Sequence, residues 1–327
     1  MVFNDTFTTM TSISKVDSGD SSQLPIVDIV IPYYNSFEYL KNSIASVLGQ
    51  TLTNFRLTII DDGTGDAQTA KYIRELKDSR ISYISNPQNI GLAGNFEKSR
   101  LTISSKWGVL LGQDDLLLPN YLEEMTCAAI NFPNAGIIQP IVEVINDKGE
   151  VIHTTVDTIK SFIRVCTRLL AKGWRPPRSN EAIFVSPALA SKAIMVGNFL
   201  YFPTLMWDNT YLRNHRFRQD LEITLDIELI VNLFQMGSGL LLVEKPLAQY
   251  RRHSASKSGI PEQKIHRLSE EVSLYKELAQ TLKGGKPLKF LAHLHPSTRL
   301  HALVECLSST TKLRFSDAFK FLILVLK

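Results

Sequence analysis

The apolar and polar positions of the first 120 residues alternate between two periods. Ile26-Val27-Asp28-Ile29-Val30-Ile31 is a β-branched, mostly apolar run closed by Pro32, the pattern of a buried strand. Tyr33-Tyr34-Asn35-Ser36 reads as the loop after it. Leu40, Ile44, Val47 and Leu48 then recur at helical spacing, and Gln50-Thr51 ends that helix. Phe55–Ile60 predicts a second strand, Ala67–Leu76 a second helix and Ile81–Ile84 a third, shorter strand. Asn89–Asn95 leads into a helix reaching about Ser104, and Trp107–Leu111 is the fourth strand. Strands and helices in strict alternation predict βαβ units on a parallel sheet.

Two of these strands run into adjacent acids, Asp61-Asp62-Gly63 and Asp114-Asp115, and Pro119-Asn120 opens a further helix. Parallel sheets bind ligands outside the carboxyl ends of their strands. Pro32–Asn35, Asp61–Gly63 and Asp114-Asp115 are therefore expected to converge on one crevice. Neighbouring side chains of a strand point to opposite faces, so Asp114 and Asp115 can share an ion only if the strand has already ended in a turn. Two acids on such a turn can hold a divalent cation; an Asx turn with a helix cap is the other reading. Gly91-Leu92-Ala93-Gly94 lacks the third glycine of a dinucleotide fingerprint and does not close the first strand, which argues against a nicotinamide or flavin site.

The second half is less regular. Ile137-Ile138 and Ile141–Ile145 read as strands, Asn146–Gly149 as a turn into Val151-Ile152, residues 157–172 as a helix and Trp174–Arg178 as a loop. Phe202–Trp207 reads as a strand, Leu225–Phe234 as a helix with Thr224 as its N-cap, and Leu240–Val243 as a strand that Ala248–His253 leaves. From residue 261 onward the pattern is helical, with breaks at Lys283–Pro287 and His295–Ser297. Residues 1–24, rich in Ser, Thr and Asp, read as a disordered extension without the pattern of a signal peptide.

Composition narrows the classes. Hydrophobic content is 44% and charged content 21% over 327 residues, ordinary for a globular protein. The 3 cysteines have no paired spacing, which excludes a disulfide framework or zinc cluster and fits a reducing, cytoplasmic compartment. Charge is uneven: residues 251–327 hold 14 Lys and Arg against 6 Asp and Glu, while residues 1–250 hold 22 against 26. A basic tail on a mildly acidic body points to an anionic neighbour or a solvated helical surface. At its end, Phe321–Leu326 is too short to span a bilayer. Residues 312–327, with Lys312, Arg314, Lys320 and Lys327 beside Leu313, Phe315 and Phe319, predict an amphipathic helix. Its apolar side packs on the body or touches the inner face of a membrane.

In order, the motifs resemble those of family 2 glycosyltransferases of the GT-A fold. Ile29–Asn35 is similar to that family's opening strand and aromatic-Asn turn, and Ile59–Gly63 to its second-strand acid motif. Gly112-Gln113-Asp114-Asp115 resembles its DxD-type metal motif, Leu225–Leu229 the late motif carrying the catalytic base, and Tyr250–Ser256 its Tyr-Arg-x-His-x-x-Ser ending. The similarity covers roughly residues 26–258. Many relatives have Glu where Leu225 stands, and residues 146–200 match no motif. The resemblance implies an α/β, GT-A Rossmann-like fold: a mostly parallel central sheet flanked by helices, with a helical C-terminal extension. It divides the chain into a nucleotide-sugar half (25–130), an acceptor and catalytic half (131–258) and a helical region (259–327).

The resemblance also implies roles. The reaction is inverting transfer of a sugar from a nucleotide-diphosphate donor to a hydroxyl of a glycan or lipid-linked acceptor, with Mn2+ or Mg2+ as cofactor and no nucleic acid as partner. Asp226 is the base. Pro32, Tyr34, Asn35, Asp62, Asn95 and Asp114 bind substrate, Asp62 through the nucleobase. Asp115 is the direct metal ligand, with His253 completing the shell or donating to the diphosphate. Two other classes stay open. A nucleotidyltransferase of related fold would carry a Gly-rich basic loop after the first strand, where Tyr33–Ser36 stands. A non-catalytic nucleotide-sugar binding module would be expected to have lost one of Asp62, Asp115 and Asp226.

Overall fold

The computed structural model describes residues 27–173, 181–253, 261–283, 285–311 and 314–326. The expectations for residues 1–24, the loop at Trp174–Arg178, the motif end at Ser254–Ser256, and Lys312, Leu313 and Lys327 lie outside these ranges. The first half alternates as its periodicity predicts: β1 (Val27–Tyr33), α1 (Phe37–Leu48), β2 (Phe55–Asp61), α2 (Ala67–Leu76), β3 (Ile81–Ser85), α3 (Gly91–Thr102) and β4 (Trp107–Leu110). A two-residue strand β5 (Leu116–Leu117) and α4 (Tyr121–Asn131) follow. Every residue of β1 is buried, because helices cover both faces. Val27, Ile29, Ile31 and Tyr33 join the apolar layer holding Leu40 and Ile44 of α1. Val30 enters the opposite layer, with Ala93 of α3.

The second half comprises β6 (Ala135–Ile145), α5 (Thr155–Lys172), β7 (Ala182–Val185), α6 (Pro187–Val196), β8 (Met206–Asp208), α7 (Asn209–Leu212), α8 (Leu225–Gln235) and β9 (Gly239–Arg251). Four helices close the chain: α9 (Pro261–Thr281), α10 (Gly285–Leu294), α11 (Pro296–Thr311) and α12 (Phe315–Leu326). Among the described residues nine strands form one sheet in the order β3-β2-β1-β4-β8-β6-β9-β5, with β7 on β9. The block β3-β2-β1-β4 is parallel. β8 joins β4 antiparallel, and β9 runs parallel to β6. Strand order reverses between β1 and β4, so their carboxyl ends diverge there and leave a crevice.

Four expectations are corrected. Phe202–Trp207 is not one strand: Phe202–Thr204 is a 3-10 turn with Pro203 inside it, and only Met206–Asp208 pairs. A proline lacks the N–H that a central strand needs. β9 does not end at Val243 but continues to Arg251, because β9 itself bulges between Leu242 and Ala248 and then resumes its pairing with β6. Ile137-Ile138 and Ile141–Ile145 are likewise one continuous strand. Thr224 occupies the N-cap position of α8 but makes no side-chain cap bond. Its hydroxyl donates instead to Glu270 of α9 at 2.7 Å.

Candidate functional site

The crevice at the β1/β4 switch has a volume of about 690 Å3 and is lined by all nine residues singled out in the sequence: Pro32, Tyr34, Asn35, Asp62, Asn95, Asp114, Asp115, Asp226 and His253. Its floor is made by the ends of β1, β2 and β4 and its far wall by α8 and β9.

At the end of β1 the backbone enters the left-handed region twice, at Asn35 (φ 64°) and Ser36 (φ 71°). Asparagine accepts this conformation more readily than most residues. The two-residue twist turns the chain into α1 and leaves Tyr34 50% exposed on the crevice rim. Gln113 fixes this turn: it accepts from the Tyr34 N–H at 2.9 Å and donates back to the Tyr34 carbonyl at 3.3 Å.

The Asp61-Asp62 pair divides its work. Asp61 shapes the turn by accepting from Thr64 N–H and from the Tyr83 hydroxyl at 2.6 Å. Asp62 accepts from Asn86 Nδ2 and from the Ile90 and Gly91 N–H groups at 2.9–3.1 Å. Three donors therefore already occupy the carboxylate expected to face a nucleobase. Asp62 holds the loop that enters α3, where Gly91 sits at φ +79°. From that helix Asn95 reaches the crevice; its Nδ2 donates to the Ile60 carbonyl at 3.2 Å, and its buried Oδ1 has no partner.

The strand does end before the second acid pair, as shared ion binding requires. β4 stops at Leu110, and the Asp115 N–H closes a turn on the Gly112 carbonyl at 3.2 Å. Asp115 is 1% exposed. Its Oδ1 accepts from the Arg251 N–H at 2.8 Å, whereas its Oδ2 has no partner. Burial, with Asp114 beside it, pushes the Asp115 carboxyl well above the usual carboxylate range, against the pull of Arg251 and Arg252. A Cβ on Gly112 would lie 2.2 Å from Asp115 Oδ2, so only glycine fits there. Arg251 locks the turn, donating to the carbonyls of Asp114 and Asn146. His253 Nε2 lies 2.8 Å from Asp114 Oδ2.

This donor set fits a divalent cation. An unsatisfied buried carboxylate oxygen stands beside an acid–imidazole pair, and a cation would reverse the burial penalty on Asp115. Among the described residues no group of three or more His, Cys, Asp or Glu side chains is close enough to form a full shell by itself. Two carboxylates leave room for phosphate and water oxygens, as Mg2+ and Mn2+ sites do.

Asp226 lies in the first turn of α8 and accepts from Asn198 Nδ2 at 3.0 Å. Burial raises its pKa, opposed by Arg267, Lys160 and the Ile227 N–H. These neighbours come from the stretch in which no motif could be placed and from the C-terminal helices. Lys160 of α5 donates to the Leu200 carbonyl at 2.7 Å and stands over the Tyr201 ring. Burial, with Arg267 and Arg252 nearby, brings Lys160 down to about 7. Arg252 makes a two-point contact with Asp157. The segment leading into Asp226 is held from α9, where Glu270 accepts the N–H groups of Glu222, Ile223 and Thr224 at 2.7–3.0 Å. Sequence spacing gave no sign of Lys160, Arg267 or Glu270. The only available signal was an amphipathic α5 with a lysine on the side that became buried.

Residues 28–188 match the family model described as glycosyl transferase family 2. That segment contains Asp62, Asp114 and Asp115 and stops before Asp226 and His253. An Escherichia coli protein named UDP-Glc:alpha-D-GlcNAc-diphosphoundecaprenol beta-1,3-glucosyltransferase WfgD is 32% identical over 124 residues, 38% of this chain and 48% of that protein. An uncharacterized glycosyltransferase of Methanocaldococcus jannaschii is 30% identical over 131 residues, 39% of this chain and 45% of its own. The chain thus spans less than half the length of these two curated relatives. Among solved structures, S. aureus TarS residues 1–349 in complex with UDP-GlcNAc superimposes with a TM-score of 0.53 at 12% identity, covering 89% of both chains. This is a likeness of fold. The matching segment, the ordered motifs and the sheet with its switch-point crevice agree: residues 28–188 match glycosyl transferase family 2, and the chain has the GT-A fold.

Proposed function

We propose that the crevice binds a nucleoside-diphosphate sugar together with Mn2+ or Mg2+ and transfers the sugar, with inversion, to an acceptor hydroxyl. The observation that carries this reading is the convergence of Asp62, the Asp114–Asp115–His253 group and Asp226 on one cavity at the β1/β4 switch. The nucleoside would lie against Pro32, Tyr34 and the loop held by Asp62, with Asn35 and Asn95 beside it. Asp115 would hold the cation at the diphosphate, with the Asp114–His253 pair beside it. When bound, such an ion offsets the charge that develops on the departing diphosphate.

Asp226 stands on the opposite wall. Its carboxylate would take the acceptor hydroxyl proton as that oxygen bonds to the anomeric carbon, while the bond from this carbon to the diphosphate oxygen breaks. One base and a single displacement invert the anomeric centre. Burial raises the basicity of Asp226, while Arg267 and Lys160 favour its ionised form. The acceptor is a glycan or lipid-linked sugar in polysaccharide or glycoconjugate assembly, by analogy with the name of the E. coli relative. A cytoplasmic location belongs to the same reading.

The donor is tested by thermal stabilisation. UDP-sugars come first, because the TarS structure holds UDP-GlcNAc. A ligand at 100 times its Kd adds about 2.7 kcal/mol to native-state stability. A UDP-sugar is expected to raise Tm only with Mn2+ or Mg2+ present. If no nucleotide sugar raises Tm with either ion, the donor reading is wrong. Stabilisation by nucleoside triphosphates alone would point to nucleotidyl transfer instead.

A further inference from the structure

The C-terminal helix α12 is apolar on two sides, and only one of them is covered. Ala318, Phe321 and Leu324 are buried, and Phe321 and Leu324 pack with Leu268 and Val272 of α9 and Ala302 of α11. That face belongs to the body of the protein, as one of the two sequence readings expected. The opposite face carries Phe315, Phe319, Leu322, Ile323 and Leu326, a continuous stripe at helical spacing. Phe315 and Phe319 are each 64% exposed and Leu326 is 76% exposed, too much large apolar surface to be incidental. The partner helix α11, packed along α12, bears an uncovered stripe of its own in Leu300, Leu303 and Leu307. Two adjoining helices thus each present a bare apolar row, while none of the described helices is long and apolar enough to cross a membrane.

Charge selects the occupant. Residues 282–327 contain eight Lys and Arg but only two acids, Glu305 and Asp317. Both acids are already paired, Glu305 with Lys264 and Asp317 with Arg314 and Lys320. Pairing this face with a second copy would bring two strongly basic segments together. An anionic bilayer offers apolar depth for the stripe and negative charge for its basic surroundings.

We propose that the uncovered face of α11 and α12 is a peripheral docking surface for anionic phospholipid. This goes beyond the transfer reading and stands or falls independently of it. The helix pair lies in the interface with its aliphatic and aromatic side chains among the acyl ends of the headgroups, while Phe321 and Leu324 keep α12 attached to the protein.

The test is co-sedimentation of the full chain with vesicles of phosphatidylcholine alone or with 30–40% phosphatidylglycerol (roughly the charge density that attracts basic segments). The parent is expected to bind the anionic vesicles, with binding weakened several-fold by about 0.5 M salt. Phe319→Ser, Leu322→Ser and Leu326→Ser combined alter only the exposed stripe. Each is expected to weaken vesicle binding by about tenfold, with Tm and nucleotide-induced stabilisation unchanged. Leu324→Ser, on the covered face, should lower Tm instead. Equal sedimentation of parent and triple variant overturns the proposal, as does a parent that ignores anionic vesicles. A parent that is dimeric in solution while the triple variant is monomeric also overturns it, assigning the face to a second copy.

Discussion

Asp115→Asn separates the structural cost of the buried acid from its role toward a cation. In the parent, Oδ1 is satisfied by the Arg251 N–H while Oδ2 is buried without a partner. A buried acceptor left unsatisfied costs about 1–3 kcal/mol, and a charged one more. Asparagine keeps the acceptor that Arg251 needs and replaces the charged oxygen with a neutral amide. Without metal, the variant should be more stable than the parent by about 1 kcal/mol, or about 2 °C in Tm for a chain of this size. The pH dependence has a definite sign. Burial raises the native carboxyl above its ordinary value, so the folded protein holds this proton to higher pH than the unfolded chain. Parent stability contributed by Asp115 is therefore present at low pH and lost as pH rises through the native pKa; the variant lacks that loss. Scanning fluorimetry from pH 5 to 8 in EDTA reads the difference, which should widen upward. A second series with Mn2+ and UDP should raise the parent's Tm and leave the variant's where it was. If the variant is several degrees less stable in EDTA, or gains as much from Mn2+ and UDP as the parent, the metal-ligand assignment of Asp115 is refuted.

Glu270→Ala removes the acceptor of three N–H groups and the Thr224 hydroxyl just ahead of Asp226. It should cost about 1–3 kcal/mol in thermal unfolding and lower kcat, since Asp226 loses its anchored approach; an unchanged kcat would show that the α9 brace does not position the base. Burial pushes the Glu270 carboxyl up, but its hydrogen bonds outweigh this and hold it below the usual range. Its stabilisation is therefore present above the unfolded carboxyl pKa and fades as pH falls through the native value. Lys160→Met should move the acid limb of kcat/KM to higher pH, because Lys160 is protonated below about 7 and there favours ionised Asp226. Lys160→Arg should restore the limb; a profile indifferent to both changes removes Lys160 from the tuning of the base.

Much of this was legible from residue order because the first half is built from local signals. The buried run of β1, the 3.6-residue period of α1 and the Asp-Asp turns each declare themselves within ten residues, and a parallel sheet then places strand ends together. What stayed hidden depends on contacts distant in sequence. Asp62 looked like a free ligand, but its carboxylate serves Asn86, Ile90 and Gly91, 24 to 29 residues away. Val243 looked like a strand end because Glu244-Lys245-Pro246 breaks the apolar run, yet β9 bulges there and picks up its pairing with β6 again. Thr224 had the composition of a cap, but Glu270, 46 residues on, claimed its hydroxyl. Lys160 showed nothing, since α5 reaches Asp226 only through tertiary packing.

The division of labour between the two walls of the crevice is tested most directly by Asp226→Asn. Donor affinity is measured by calorimetry with UDP and Mn2+, and turnover by transfer to a hydroxyl acceptor on the same preparation. The expected result is donor affinity within about twofold of the parent and turnover lower by at least ~10²-fold, as for loss of a general base. Turnover close to that of the parent, or a parallel collapse of donor binding and turnover, would contradict the assignment of Asp226 as the base.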